Sequence, residues 1–255
     1  MRHAYPSWVV TEQIQPMPNR PSSPPRLLTA ARWPLGVAAT SWTYLWRVTP
    51  LHRREQPGTW EDDGPHPLPP RVPTADVQRP EDGAGPLLHR HYRARISGAK
   101  LDAEALIARL GTNPDQVAPG GLAKFVKESG PDARIAVGDE WVVRMPGPWD
   151  GPVRVVHVTP TSFRFATLDG HLEAGQIEWH ASDADGELVF GIESWARSGD
   201  RLSDLMHNHL RMAKEVQLHM WTSVIERVAR LVDGRLAAGI EIDTRRVEVG
   251  DSAGP

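Results

Sequence analysis

The chain has no cysteine in 255 residues, so disulfides, thiolate metal centres and cysteine nucleophiles are excluded. It also lacks any uncharged apolar run of about eighteen residues, the length a membrane-spanning helix needs. Met1–Pro6 has none of the apolar core of a signal peptide, which sets the expectation of a cytoplasmic protein. There is no excess of positive charge: 29 Lys and Arg face 32 Asp and Glu, for a net charge of -3. Phosphate binding needs a basic surface, so a nucleic-acid partner is not expected. Nucleophile elbows, phosphate loops and dinucleotide fingerprints are missing as well, and no cofactor is expected.

What the chain has in quantity is proline, 24 residues, and tryptophan, 10 residues. The prolines crowd the first third and set the predicted boundaries. Residues 1–25 read as a flexible proline-rich tail. Residues 26–56 read as a basic, tryptophan-rich amphipathic helix, with Leu35, Ala39, Trp42 and Trp46 on one stripe and no acid before Glu55. That helix would dock on the main domain, lie on an anionic membrane surface as a peripheral contact, or meet a partner protein. Residues 57–86 read as an extended proline-rich linker, 87–234 as the main domain and 235–255 as a C-terminal tail.

Within the main domain, His89–Ile96 reads as a rather polar strand near an edge, and Leu101–Leu110 as a short helix capped by Asp102. Leu122–Lys127 reads as a second short helix after Gly120-Gly121. Strands are predicted at Ala133–Val137, Glu140–Met145, Val153–Val158, Phe163–Leu168, Gln176–Ala181 and Glu187–Ala196. Short turns such as Asp169-Gly170 and Asp185-Gly186 separate the later strands and favour antiparallel hairpins. Alternation directs Phe163, Phe165 and Thr167, then Ile177, Trp179 and Ala181, then Leu188, Phe190, Ile192 and Ser194 to one face. Gly191 within its strand predicts a bend or bulge. A helix of roughly thirty residues is predicted from Asp200, with an apolar face and Gly234 as its stop. The fold class is therefore α+β: a curved antiparallel sheet of about six or seven strands gripped by a long C-terminal helix.

The run from Phe163 to Gln176, with Thr167-Leu168-Asp169-Gly170-His171 and Glu173 at its centre, resembles the T-L-P-G-H-x-E-x-G-E segment of the uncharacterised family known as domain of unknown function nineteen-ninety. The segment Phe190–Ser198 resembles that family too, the resemblance as a whole covers about residues 85–235, and Trp42–Arg54 is similar to an N-terminal extension of its actinobacterial members. Asp169 stands where the family has proline, and Gln176 where it has glutamate. The family resembles the START-like (SRPBCC) helix-grip ligand-binding superfamily. That resemblance implies an apolar cavity between the sheet and the C-terminal helix. Its walls would be Phe163, Phe165, Trp179, Phe190, Ile192, Met206, Met212, Val216 and Met220, unless these side chains simply fill a core. Thr167 and Ser194 would orient a ligand oxygen or bond neighbouring backbone.

His171 and Glu173 sit on a turn at the expected pocket mouth, with His180 as a neighbour, and would serve as base and orienter or as turn-capping groups. His207 and His209 lie on opposite sides of a helix, and His89 with His91 has no third ligand at fixed spacing, so no metal is expected. Lys214 and Glu215 would meet an acidic head group or form a solvated face. Three functions follow in order. The first is non-covalent binding of a small hydrophobic or amphipathic ligand. The second is a cyclase, dehydratase or hydrolase using His171, Glu173 or Glu193 in the same cavity. The third is a membrane-surface adaptor acting through Leu35, Trp42 and Trp46.

Overall fold

The computed structural model describes residues 49–120, 123–131, 133–145, 150–199 and 210–249, with 210–216 described by backbone path alone. The strands are Leu51–Pro57 (β1), Gly83–Ser97 (β2), Lys124–Ser129 (β3), Glu140–Arg144 (β4), Asp150–Thr159 (β5), Ser162–Thr167 (β6), Glu173–Ala184 (β7), Glu187–Gly199 (β8), Arg235–Leu236 (β9) and Ile240–Val247 (β10). The α-helices among the described residues are Trp60–Asp63 (α1), Ala103–Thr112 (α2) and Leu210–Leu231 (α3). One sheet holds all ten strands in the order β1-β10-β2-β8-β7-β6-β5-β4-β3, with β9 paired to β2 off that path. β1 and β10 run parallel, and the other pairs are antiparallel. The result is α+β, a large curved sheet with few helices.

The central meander follows from local sequence. Asp185 and Gly186 both adopt positive φ, 54° and 77°, the two-residue turn that matches strand twist and joins β7 to β8. The register then sets Trp179 opposite Phe163 on β6 and opposite Ile192 on β8. Phe165, Ile177 and Ser194 align in the adjacent inward row. Helix α2 begins where its cap predicts, with the Asp102 carboxylate accepting from the Ala105 amide at 2.8 Å. α3 packs over the inner face, burying Val224, Ile225 and Val228.

Several expectations change. Among the described residues the sheet has ten strands where six or seven were expected. β1 occupies the last residues of the predicted basic helix, and β9 and β10 lie in the predicted tail, so the sheet extends beyond 87–234 at both ends. β10 pairs with β2, which therefore sits inside the sheet and not near an edge. Lys124–Ser129 is a strand where a helix was expected; Phe125 turns inward, and its amide is held by Asp115 at 2.9 Å. Residues 133–137 are a turn, because the buried Asp139 carboxylate accepts from the Ala136 amide at 2.9 Å and pairs with Lys127 at 2.8 Å.

Gly191 keeps regular register and makes no bulge. A Cβ there would stand 2.4 Å from His180 Nε2 and 3.1 Å from His91 Nε2, so glycine leaves room for two imidazoles. The C-terminal helix is described over Leu210–Leu231, and its predicted start at Asp200 lies outside the described residues. It closes with Gly234 N–H donating to Ala229 O at 2.8 Å and Asp233 N–H to Arg230 O at 3.1 Å. The left-handed residue is Asp233, φ 53°, and not Gly234. Gly234 is small for another reason: a Cβ would meet Ile96 Cγ2 at 2.5 Å.

The proline-rich stretch after β1 is a strap packed on the outer face of the sheet. Gln176 Nε2 donates to His66 O at 2.8 Å, and His66 meets Trp195 edge-on at 5.1 Å. Val72 and Val77 bury against Val156, Ala166 and Leu168. Proline suits this task, since a strap crossing a sheet face has no ladder to donate to. Arg154 pins it: the guanidinium takes Asp76 in a fork at 2.6 and 2.7 Å, Glu140 at 2.5 Å and Pro73 O at 2.9 Å. Arg154→Met is expected to cost about 2–3 kcal/mol in denaturant unfolding and to expose residues 65–76 to limited proteolysis. A loss below about 0.5 kcal/mol, within the range of ordinary surface changes, would show that apolar contacts alone hold the strap.

Candidate functional site

The inner face of β6, β7 and β8 presents the aromatic wall that alternation predicts. Phe163, Phe165, Trp179, Phe190 and Ile192 are buried there, and Met220 from α3 is buried above them. Trp179 is the hub. Its indole lies 5.5 Å from Phe163, 5.7 Å from Phe125, 6.2 Å from Phe190 and 6.2 Å from Trp221 of α3. Three of these contacts are edge-to-face, the arrangement aromatic quadrupoles favour. Of the other predicted walls, Met206 lies outside the described residues, as do the side chains of Met212 and Val216. The same holds for Leu35, Trp42, Trp46, His207, His209, Lys214 and Glu215.

Thr167 does not wait for a ligand. Its hydroxyl accepts from the Gly175 amide at 2.9 Å and faces Gln78 O at 3.0 Å and Gly175 O at 3.2 Å. Ser194 is buried on the inner face, level with Arg90 of β2 and Ile177 of β7.

A polar group at one end of the wall escaped the sequence reading. Arg90 and Tyr92 share the inward parity of Ala94 and Ile96, and both are buried. The Arg90 guanidinium donates to Gln217 Oε1 on α3. The Gln217 amide in turn donates to both Glu173 carboxylate oxygens, at 3.2 and 3.0 Å. A guanidinium, an amide and a carboxylate thus form one relay from β2 through α3 to β7. Burial pushes the Glu173 carboxyl above its usual range, against the pull of Arg90 and Gln217. Burial likewise raises the Tyr92 phenol, opposed by Arg90. The available signal was parity: a lone arginine in phase with buried residues.

His171 and Glu173 are neighbours, but they are not a catalytic pair. His171 Nδ1 stands 2.9 Å from the Glu173 amide nitrogen and 3.0 Å from its carbonyl oxygen, so the imidazole braces its own turn. The Glu173 carboxylate faces Gln217 instead. Burial lowers His171 to about 4, the backbone contact with Glu173 opposing it. A Cβ on Gly151 would reach His171 Nε2 at 2.9 Å, which shows how closely β5 covers the ring.

His180 and Glu193 belong to the opposite face and cannot join that site. His180 Nε2 meets His91 Nε2 at 3.2 Å. Glu193 binds His89 at 2.6 Å, while the other nitrogen of His89 meets Asp63 at 3.0 Å and its ring stacks on Trp195. Burial opposes the charge on His89, but Glu193 and Asp63 outweigh it and raise its pKa. Burial lowers His91 and His180. Among the described residues no three His, Asp or Glu side chains are arranged to hold a metal ion.

Three indole N–H groups, those of Trp141, Trp179 and Trp221, are buried without an acceptor among the described residues. An unmade buried hydrogen bond costs about 1–3 kcal/mol, so such donors call for an explanation.

Residues 116–227 match the model of a family described as Domain of unknown function (DUF1990), the family that the Phe163–Gln176 motif resembles. The match is narrower than the 85–235 span of the resemblance. No curated protein sequence matches the chain. Among solved structures, the di-domain ARO/CYC StfQ from the steffimycin biosynthetic pathway aligns at 11% identity and TM-score 0.45, covering 58% of this chain and 51% of that one. This chain thus spans about half the length of StfQ. Major latex-like protein 151 of Panax ginseng aligns at 13% identity and TM-score 0.43, over 58% of this chain and 99% of that one. Norcoclaurine synthase from Thalictrum flavum, in complex with dopamine and hydroxybenzaldehyde, aligns at 11% identity and TM-score 0.41, over 58% and 87%.

The depressed His171 pKa has a consequence for stability. Between its ordinary value of 6.5 and about 4, the unfolded chain binds a proton that the folded chain refuses. Stability therefore falls as pH drops through that window. His171→Gln is expected to flatten the fall by about 1–3 kcal/mol relative to the parent, measured by urea unfolding at pH 6.5 and 4. Parallel pH curves for both proteins would show that the imbalance is absent.

Proposed function

We propose that this protein binds a small hydrophobic or amphipathic molecule between its sheet and helix α3. The observation that carries the reading is the combination on one inner face of an aromatic wall, the Arg90–Gln217–Glu173 relay and buried indole donors. An apolar wall provides binding energy, about 25 cal/mol per Å² before the costs of association, and a few polar groups set orientation. Met220, unbranched and polarisable, suits ligands of varied shape with little change in backbone.

A second reading has one observation behind it. Glu173 is an inward carboxyl whose pKa stands above the usual range, the condition a general acid needs. In that case the relay would aim a proton donor at the occupant. His171 braces the turn and Glu193 faces outward, so Glu173 alone would carry the chemistry.

The test is native mass spectrometry of the full chain together with Nile red titration. A retained small molecule and a saturable rise in probe fluorescence are the expected results. Ile192→Trp, which adds bulk at the centre of the wall, should weaken probe binding at least tenfold while leaving thermal stability nearly unchanged. If the interior is already filled by its own side chains, the same variant will instead lose about 1–3 kcal/mol or more. That result, with no retained molecule, overturns the proposal. Catalysis predicts that Glu173→Gln retains a chemically different molecule from the parent; the same molecule in both sinks the second reading.

A further inference from the structure

Among the described residues, the charges of Arg90, Glu173, Lys127 and Asp139 on the inner face are matched within the protein. Arg90 is linked through the Gln217 amide to Glu173. Further along the same face, beside the Trp141 ring, Lys127 pairs with the Asp139 carboxylate at 2.8 Å. An additional ionised group brought among these residues would be an unpaired buried charge, which costs far more than a neutral polar group. Unmet donor capacity, by contrast, is present among the described residues. The indoles of Trp179 and Trp221 stand 6.2 Å apart, and each buries an N–H with no acceptor among the described residues; Trp141 does the same on β4. Indole nitrogen donates only, so what these groups lack is an acceptor oxygen.

We infer that the occupant is an uncharged amphipathic molecule bearing hydroxyl, ether or carbonyl oxygen, selected against carboxylates and ammonium ions by the charge-matched Arg90–Gln217–Glu173 relay. The inference rests on the binding function proposed above and adds the chemical class of the ligand. Selectivity comes from the relay. An anion must compete with Glu173 for Arg90, and a cation must compete with Arg90 for Glu173. A neutral oxygen competes with neither and completes an indole hydrogen bond.

Three naphthalene compounds that differ only in head group separate these cases: 2-naphthalenemethanol, 2-naphthoate and 2-naphthylmethylammonium. Each displaces Nile red, an uncharged probe, from the full chain at pH 7. The alcohol is expected to act at about tenfold lower concentration than either ion. Glu173→Gln leaves Arg90 uncompensated and should bring naphthoate level with the alcohol or past it. Arg90→Gln should move the ammonium compound in the same way. The two variants shift selectivity in opposite directions, which general damage to the fold cannot do, and the parent series needs no variant at all. Displacement by all three compounds alike, or an order unchanged by both substitutions, overturns the inference while leaving a binding interior in place. Failure of Nile red to bind the parent overturns the underlying function and the inference with it.

Discussion

The register that places Trp179 between Phe163 and Ile192 is the constraint on which the rest depends. A slip of one residue would turn Trp179 outward and bring Glu178 or His180 beneath the helix. With the observed register, one row across the sheet reads Phe163, Trp179, Ile192, Tyr92 and Ile242, and all of it is buried. The next row reads Arg164, Glu178, Glu193, His91 and Asp243, and all of it faces the other way. The apolar interior and the charged exterior are two consequences of a single alignment.

The outer face is not left to water. Trp195 and Ala166 lie on it, and both are buried because the strap of residues after β1 crosses them. The strap is held by polar contacts as well as by its buried valines: the Arg154 fork, the Gln176 amide and the His89 bridge between Asp63 and Glu193. This division of labour suits proline-rich chain, which has few apolar side chains to bury and few amides to place in a ladder. Gln176 illustrates the shift from motif to structure. It stands where the family motif has glutamate, and its side chain reaches the strap and not the interior.

The interior combines two kinds of demand. The aromatic side chains around Trp179 need only contact, and they meet one another at 5.5 to 6.2 Å. Arg90 and Glu173 need partners, since neither charge is stable alone away from water. Gln217 meets both needs from the helix, and this fixes how α3 sits against β2 and β7. The relay therefore has a structural role independent of any ligand.

Much of this was legible in the residues alone. Period-two alternation identified the inward faces of β6, β7 and β8, Asp102 marked the start of α2, and the Asp185-Gly186 pair marked a hairpin. These features depend on neighbours within a few positions, so local chemistry determines them. What only tertiary structure decided were pairings between distant segments. β10 joins β1 and β2 across more than a hundred residues, and its polar sequence, Ile240-Glu241-Ile242-Asp243-Thr244, carries no sign of its partners. The same pairing takes β2 away from the sheet edge and turns Arg90 from a surface charge into an interior one. Alternation says which side chains share a face. Which chain comes to cover that face depends on contacts that are only available once the whole sheet has formed.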